Sequence, residues 1–173
     1  MTFLRPSQRI ADVRGIDLDA LEATGVRGLL IDLDNTILPR DTSVVPDDIA
    51  AWIAVVGNRF RICLVSNNWH ERVREVAAEL RLPLVARAVK PLPFAFIKAL
   101  RTIDVRARQS AVIGDQIFTD VAGGNLIGAM TIMVDPLSSA DLWHTLLLRR
   151  LEARIMRHEL PKVVASVKDE TCK

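Results

Sequence analysis

Two aspartates two residues apart, Asp32 and Asp34, open the set of residues whose types and spacing suggest chemistry. They lie in the segment Asp32-Leu-Asp-Asn-Thr36. In an extended chain, side chains at i and i+2 point the same way. Two carboxylates held so close repel each other unless a cation sits beside them, and a hard divalent ion with oxygen ligands is the natural partner. Asp115 and Asp120 offer further carboxylate oxygen. Lys90 offers a fixed positive charge, and Ser66 a hydroxyl next to Asn67 and Asn68. The turn after Ser66 can also present backbone N–H groups to an anion. Together these groups suit phosphoryl transfer. One carboxylate attacks phosphorus and a second moves the proton, while metal and lysine offset the charge on the transferring group. Each residue also has a plain structural reading. A lone Asp-x-Asp is commonly a loop or cap; Ser66 can cap a helix; Lys90 before Pro91 can be a surface lysine; Asp115 and Asp120 can cap the following helix. What favours catalysis is that all of them fall, in order, at the ends of successive strands.

Those strands are legible from apolar runs. Residues 28–33 form a run that ends in acid, and residues 61–65, 83–86, 110–113 and 130–134 form four more. Between them the patterns predict helices over residues 46–56, 71–80, 91–101 and about 121–126. Pro46 and Pro91 stand near helix starts, and Gly57 stands just past a helix end. Strands that alternate with helices and are nearly continuous in apolar residues predict a parallel sheet covered on both faces. The expected fold class is therefore α/β, a three-layer Rossmann-like sandwich on a five-stranded parallel sheet. Ligands of such sheets collect at the carboxyl ends of the strands. Asp32 and Asp34, Ser66, Lys90, and Asp115 with Asp120 all fall there.

The chain has 173 residues, enough for one domain with a full core. Half of them are hydrophobic and a quarter charged, so a disordered chain is excluded. The formal net charge of +2 gives no argument for a nucleic-acid partner. The first residues show no signal-peptide run, and no stretch reaches the roughly 18 apolar residues of a membrane span. The two cysteines, Cys63 and Cys172, have no metal-like spacing, which fits a reducing, cytoplasmic setting. The expected organisation is a core over residues 1–140, a basic amphipathic helix over 141–160 and a flexible tail over 161–173.

The residues that carry the chemistry resemble the motifs of the haloacid-dehalogenase (HAD) phosphatases. Motif one, Asp-x-Asp-x-Thr/Val, is matched by Asp32-Leu-Asp-Asn-Thr36; motif two by Ser66; motif three by Lys90; and motif four by Gly114-Asp-Gln-Ile-Phe-Thr-Asp120. The resemblance implies a magnesium cofactor and a role for each residue. Asp32 would be nucleophile and metal ligand. Asp34 would be general acid and base, with its carbonyl on the metal. Ser66, Asn67 and Lys90 would hold the phosphoryl group, Asp115 would ligate the metal, and Asp120 would act in its outer shell. The runs 28–39, 65–68, 88–91 and 113–125 further resemble the YqeG-type subfamily, with Arg40 where an aromatic residue is common. That type is similar to organellar phosphatases acting on phosphatidylglycerophosphate.

Many members of the superfamily carry a cap domain over the site. Neither the gap from Thr36 to Ser66 nor that from Ser66 to Lys90 has room for one. An open site favours a phosphate on a large carrier, and the resemblance makes a lipid phosphate the leading expectation. Alternatives are a broad soluble phosphatase of small phosphomonoesters and a phosphate-site binding module for nucleic acid or a ribosome-assembly partner. In the segment 141–160, Leu147, Leu148, Leu151 and Ile155 recur near helical spacing beside Trp143 and several arginines. Such a helix can pack on the core or lie peripherally on an anionic membrane.

Overall fold

The computed structural model describes residues 3–40 and 42–138. The helix expected over residues 141–160 and the tail over 161–173 lie outside them. Six parallel strands make one sheet: β1 (Gln8–Ile10), β2 (Gly28–Ile31), β3 (Arg61–Val65), β4 (Leu84–Val85), β5 (Ser110–Gly114) and β6 (Met130–Val134). The helices are α1 (Leu18–Ala23), α2 (Asp47–Gly57), α3 (Glu71–Glu79), α4 (Pro93–Thr102) and α5 (Ala122–Ile127).

Alternation along the strands builds two cores. Leu29 and Ile31 of β2, Ile62 and Leu64 of β3, and Ala111 and Ile113 of β5 pack with residues of α1, α2 and α3. Their neighbours Leu30, Cys63, Val65 and Val112 pack on the other face with α4. Period-two alternation sends successive side chains to opposite faces, so a fully apolar strand is the one that both layers cover. This is the three-layer α/β sandwich expected from the sequence.

The sheet has one strand more than the five expected. β1 pairs with β6 at the edge, Ser7 donates its N–H to the Thr131 carbonyl at 2.9 Å, and Arg9 forms an ion pair with Asp135. Gln-Arg-Ile has no apolar run to announce a strand. Its pairing is set by a partner more than 120 residues away in sequence. Helix α1 was likewise not expected; its side chain Leu21 is buried.

The strand order is β1-β6-β5-β2-β3-β4. Connections run outward from β2 to β3 and β4, then return across it to β5. The crevice beside the carboxyl end of β2 is the topological switch point where such sheets bind ligands.

Gly123 and Gly124 in the segment after β5 are required by close approach, the latter to the Thr131 side chain. A Cβ on Gly123 in α5 would lie 2.2 Å from the ring of Phe96, which is fully buried on α4. A helical Gly→Ala change ordinarily gains up to about 1 kcal/mol. Here the ring has no room to retreat, and overpacking costs about 1–3 kcal/mol. Gly123→Ala is therefore expected to lower the urea midpoint. A variant as stable as the parent would mean that α4 and α5 are not held this close.

Candidate active site

The strand ends bring the predicted residues together. Asp32 and Asp34 follow β2, Ser66 follows β3, Lys90 lies between β4 and α4, and Asp115 and Asp120 follow β5. All six are buried, which is unusual for so many charged groups.

Lys90 lies at the centre. Its Nζ donates to Asp32 Oδ1 at 2.5 Å and to Asp120 Oδ1 at 2.6 Å. Burial alone would lower the lysine pKa, but Asp120 and Asp32 outweigh it and hold the ammonium charged well above the usual lysine range. Burial pushes the Asp32 carboxyl up to about 7. The Lys90 ammonium pulls it down, and the nearby charges of Asp120 and Asp34 add to the rise. Thr36 points its hydroxyl at the other Asp32 oxygen, 3.4 Å away.

The loops hold these groups by their backbones. Asn35 adopts a left-handed conformation (φ 62°), which asparagine tolerates, and its N–H donates to the Leu38 carbonyl. Ser66 Oγ accepts from the Asn68 N–H at 3.0 Å. Asn67 Oδ1 accepts the Lys90 N–H at 2.7 Å, so its side-chain oxygen fastens the lysine loop to the serine loop. Asp120 comes from a wide π-helical turn, Ile117–Val121, that precedes α5. Its second oxygen accepts from the Thr119 hydroxyl at 3.1 Å. Such turns often mark functional positions within helices.

Sequence reasoning missed Arg72. From the first turn of α3 this arginine forms an ion pair with Asp34 and donates to the Thr42 carbonyl. It thereby fastens the loop after β2 to α3. The available signal was a cation in the first turn of the helix that follows the Ser66 loop. Arg40, beyond the Asp32 loop, is half-buried, and among the described residues its Nε has no hydrogen-bond partner.

The donor set fits a hard divalent cation. Carboxylate oxygens of Asp32, Asp115 and Asp120 lie within 4.8 Å of one another. In the crevice the four carboxylates of Asp32, Asp34, Asp115 and Asp120 face two cations, Lys90 and Arg72. The excess of carboxylates over cations suits a divalent ion bound by oxygen.

Residues 88–136 match the HAD-hydrolase-like family model. The chain is 33% identical over 155 residues to "Probable phosphatase YqeG" of Bacillus subtilis (strain 168), covering 89% of this chain and 90% of that protein. It is 26% identical over 171 residues to "Phosphatidylglycerophosphate phosphatase 1, chloroplastic/mitochondrial" of Arabidopsis thaliana, covering 92% of this chain but 49% of that one. Among solved structures, a HAD phosphatase from Thermococcus onnurineus superposes with a TM-score of 0.56 at 13% identity, over 68% of this chain and 89% of that one. That likeness concerns the fold. Among the described residues, no helix is long and apolar enough to cross a membrane. The ordered motif residues, the parallel sheet that gathers them at one edge and the extended similarity to YqeG agree: the chain belongs to the YqeG-type phosphatases of the HAD superfamily.

Proposed function

We propose that this phosphatase is a magnesium-dependent phosphomonoesterase that works through an aspartyl-phosphate on Asp32, with phosphatidylglycerophosphate as its leading substrate. The observation that carries the reading is the packing of Asp32 against Lys90, beside the Asp115 and Asp120 carboxylates, at the carboxyl edge of the sheet. Only α2 and β3 lie between Thr36 and Ser66, and only α3 and β4 between Ser66 and Lys90.

In the first step an Asp32 oxygen attacks phosphorus, and the bond from phosphorus to the leaving oxygen breaks. Asp34 gives that oxygen a proton. In the second step water attacks phosphorus, Asp34 takes the proton, and the bond to Asp32 breaks to release phosphate. Lys90 and the Ser66 hydroxyl hold the phosphoryl oxygens, and the Ser66-Asn67-Asn68 turn supports them. Asp32, Asp115 and the Asp34 carbonyl would hold magnesium, and Asp120 would act around it. When bound, the ion supplies positive charge against the transferring group. Arg72 sets the position of Asp34.

The test uses the purified chain and phosphatidylglycerophosphate in mixed micelles, beside a panel of soluble phosphomonoesters. Phosphate release from the lipid is expected with magnesium. EDTA is expected to cut it at least about a hundredfold, with recovery on adding magnesium back. Turnover of soluble esters with the lipid left untouched would instead favour a broad soluble phosphomonoesterase, which the same open edge also admits. Turnover that survives EDTA would rule out the metal role of Asp115.

Gly114→Ala tests the placement of Asp120. A Cβ at Gly114 would lie 2.3 Å from Asp120 Cγ. The carboxylate must therefore shift from the position in which it meets Lys90. A shift of that size is expected to lower kcat/KM by about 10- to 100-fold. Unchanged kinetics would mean that Asp120 has no part in the site.

A further inference from the structure

The loops that carry the site also carry an exposed apolar rim. Among the described residues ten large apolar side chains are exposed, and six of them lie at the carboxyl edge of the sheet: Val44, Trp69, Val89, Leu92, Phe94 and Leu137. Phe94 is 75% exposed and Val89 63%. Four of the six form a ridge beside Lys90. The Arg87 guanidinium lies over the Trp69 ring, 4.3 Å from its centre. The Arg87 N–H donates to the Asn68 carbonyl, and the Leu92 N–H to that of Val89. Phe94 follows in the first turn of α4.

The backbone of this ridge is strained. Arg87 and Val89 have φ of 53° and 51°. For a β-branched valine the left-handed region is a true outlier, and such strain clusters at functional places. The same turn buries Lys90 in the site and leaves Val89 outside.

The segment that carries Val89, Leu92 and Phe94 is free of acid, and the acid nearest Trp69 in sequence is Glu71, in the first turn of α3. From Leu80 to Ile103 the chain has no Asp or Glu, while Arg81, Arg87, Lys90, Lys98 and Arg101 fall within it. Lys90 is committed to the site and Arg87 is exposed beside Trp69, whereas Arg101 lies in the last turn of α4, away from the ridge. Tryptophan with a stacked arginine, beside exposed aliphatic and aromatic side chains on an acid-free segment, is a composition that settles at the headgroup level of an anionic bilayer.

We infer that this rim docks the open site onto the surface of an anionic lipid bilayer, with Trp69, Val89, Leu92 and Phe94 entering the interface and Arg87 meeting lipid phosphates. The inference deepens the lipid-phosphatase reading and rests on it for the choice of partner. Docking here brings a headgroup phosphomonoester to Asp32 without lifting the lipid far from the membrane. A protein partner would meet the same apolar ridge, but the absence of acid across 24 residues favours an anionic lipid surface.

The test is co-sedimentation of the full chain with equimolar phosphatidylglycerol–phosphatidylcholine vesicles. Binding is expected to these vesicles, to weaken with salt, and to be absent with phosphatidylcholine alone. The double variant Leu92→Ser with Phe94→Ser is expected to lower the vesicle partition coefficient at least about tenfold. Its turnover of a soluble aryl phosphate should be unchanged. Tryptophan fluorescence gives a second measurement: a blue shift on vesicles that Trp69→Phe removes. A shift that persists in Trp69→Phe, parental binding by the double variant, or no binding by the parent would each overturn the inference. Failure of the substrate reading looks different. It would leave vesicle binding through the rim intact while the lipid phosphomonoester is not hydrolysed.

Discussion

Asp32→Asn is expected to abolish phosphatase turnover, with kcat falling by at least about a thousandfold, while leaving the fold intact. An amide is not a nucleophile for phosphorus, and removing a covalent catalyst typically costs several orders of magnitude. The structural consequence has the opposite sign. Burial, with the negative charges of Asp120 and Asp34, raises the Asp32 carboxyl from 3.8 to about 7 despite the pull of Lys90. A group whose folded-state pKa is raised supports the fold fully below its unfolded value and loses that support as pH rises towards the folded value. Between pH 4 and 7 the metal-free parent therefore loses stability that the neutral asparagine does not lose. In EDTA at pH 8, Asp32→Asn is expected to melt at or above the parental temperature. A stable variant with near-parental phosphate release would exclude Asp32 as nucleophile. A cellular complementation test with the same variant separates catalysis from recognition. Full replacement of the wild type by Asp32→Asn would favour a phosphate-site binding module.

Lys90→Met is the second large effect, expected on both activity and stability. The Lys90 side chain is 3% exposed and lies between two buried carboxylates, Asp32 at 7% and Asp120 at 3%. Removing one partner of a buried ion pair typically costs about 3–5 kcal/mol because the remaining charge is left uncompensated. Here the lysine leaves two such charges, Asp32 and Asp120. Protonation of Asp32 recovers part of the loss, so the variant is expected to be least stable above pH 7 in EDTA. Magnesium bound as proposed would supply positive charge to the same cluster. It should therefore raise the melting temperature of Lys90→Met by more than it raises that of the parent. Turnover should remain at least about a hundredfold lower even at saturating magnesium, because the lysine also offsets charge on the transferring group. Equal magnesium shifts in parent and variant would mean that ion and lysine do not share one electrostatic site.

The core strands were legible because both faces of the sheet are covered. Leu29, Leu30 and Ile31 are apolar without interruption, as are Ile62 to Val65, and such runs between helical patterns admit few other folds. β1 and α1 were not legible. An edge strand of Gln-Arg-Ile is stabilised by its register on β6 and by Ser7 against Thr131, contacts that only the folded chain creates. Helix boundaries moved by a residue or two at α2, α3 and α4. The segment after β5 differed in kind. What reads as one helix begins with the wider turn that carries Asp120, because Asp120 must lie against Gly114 and reach Lys90.

Local sequence determined which side chains are available for chemistry. Asp32, Asp34, Ser66 and Asp115 stand just past apolar runs and Lys90 and Asp120 in the connections that follow, and a parallel sheet must gather strand ends at one edge. That much follows from period and order alone. Tertiary structure decided how the charges pair. Lys90 bridges Asp32 and Asp120, Asn67 fastens the lysine loop, and Arg72 reaches from α3 to Asp34 across 38 residues of sequence. It also decided that Val89 faces out beside a lysine that faces in. Pairing and burial depend on distances between segments far apart in the chain, and at low dielectric those distances set the energy of every charge in the site.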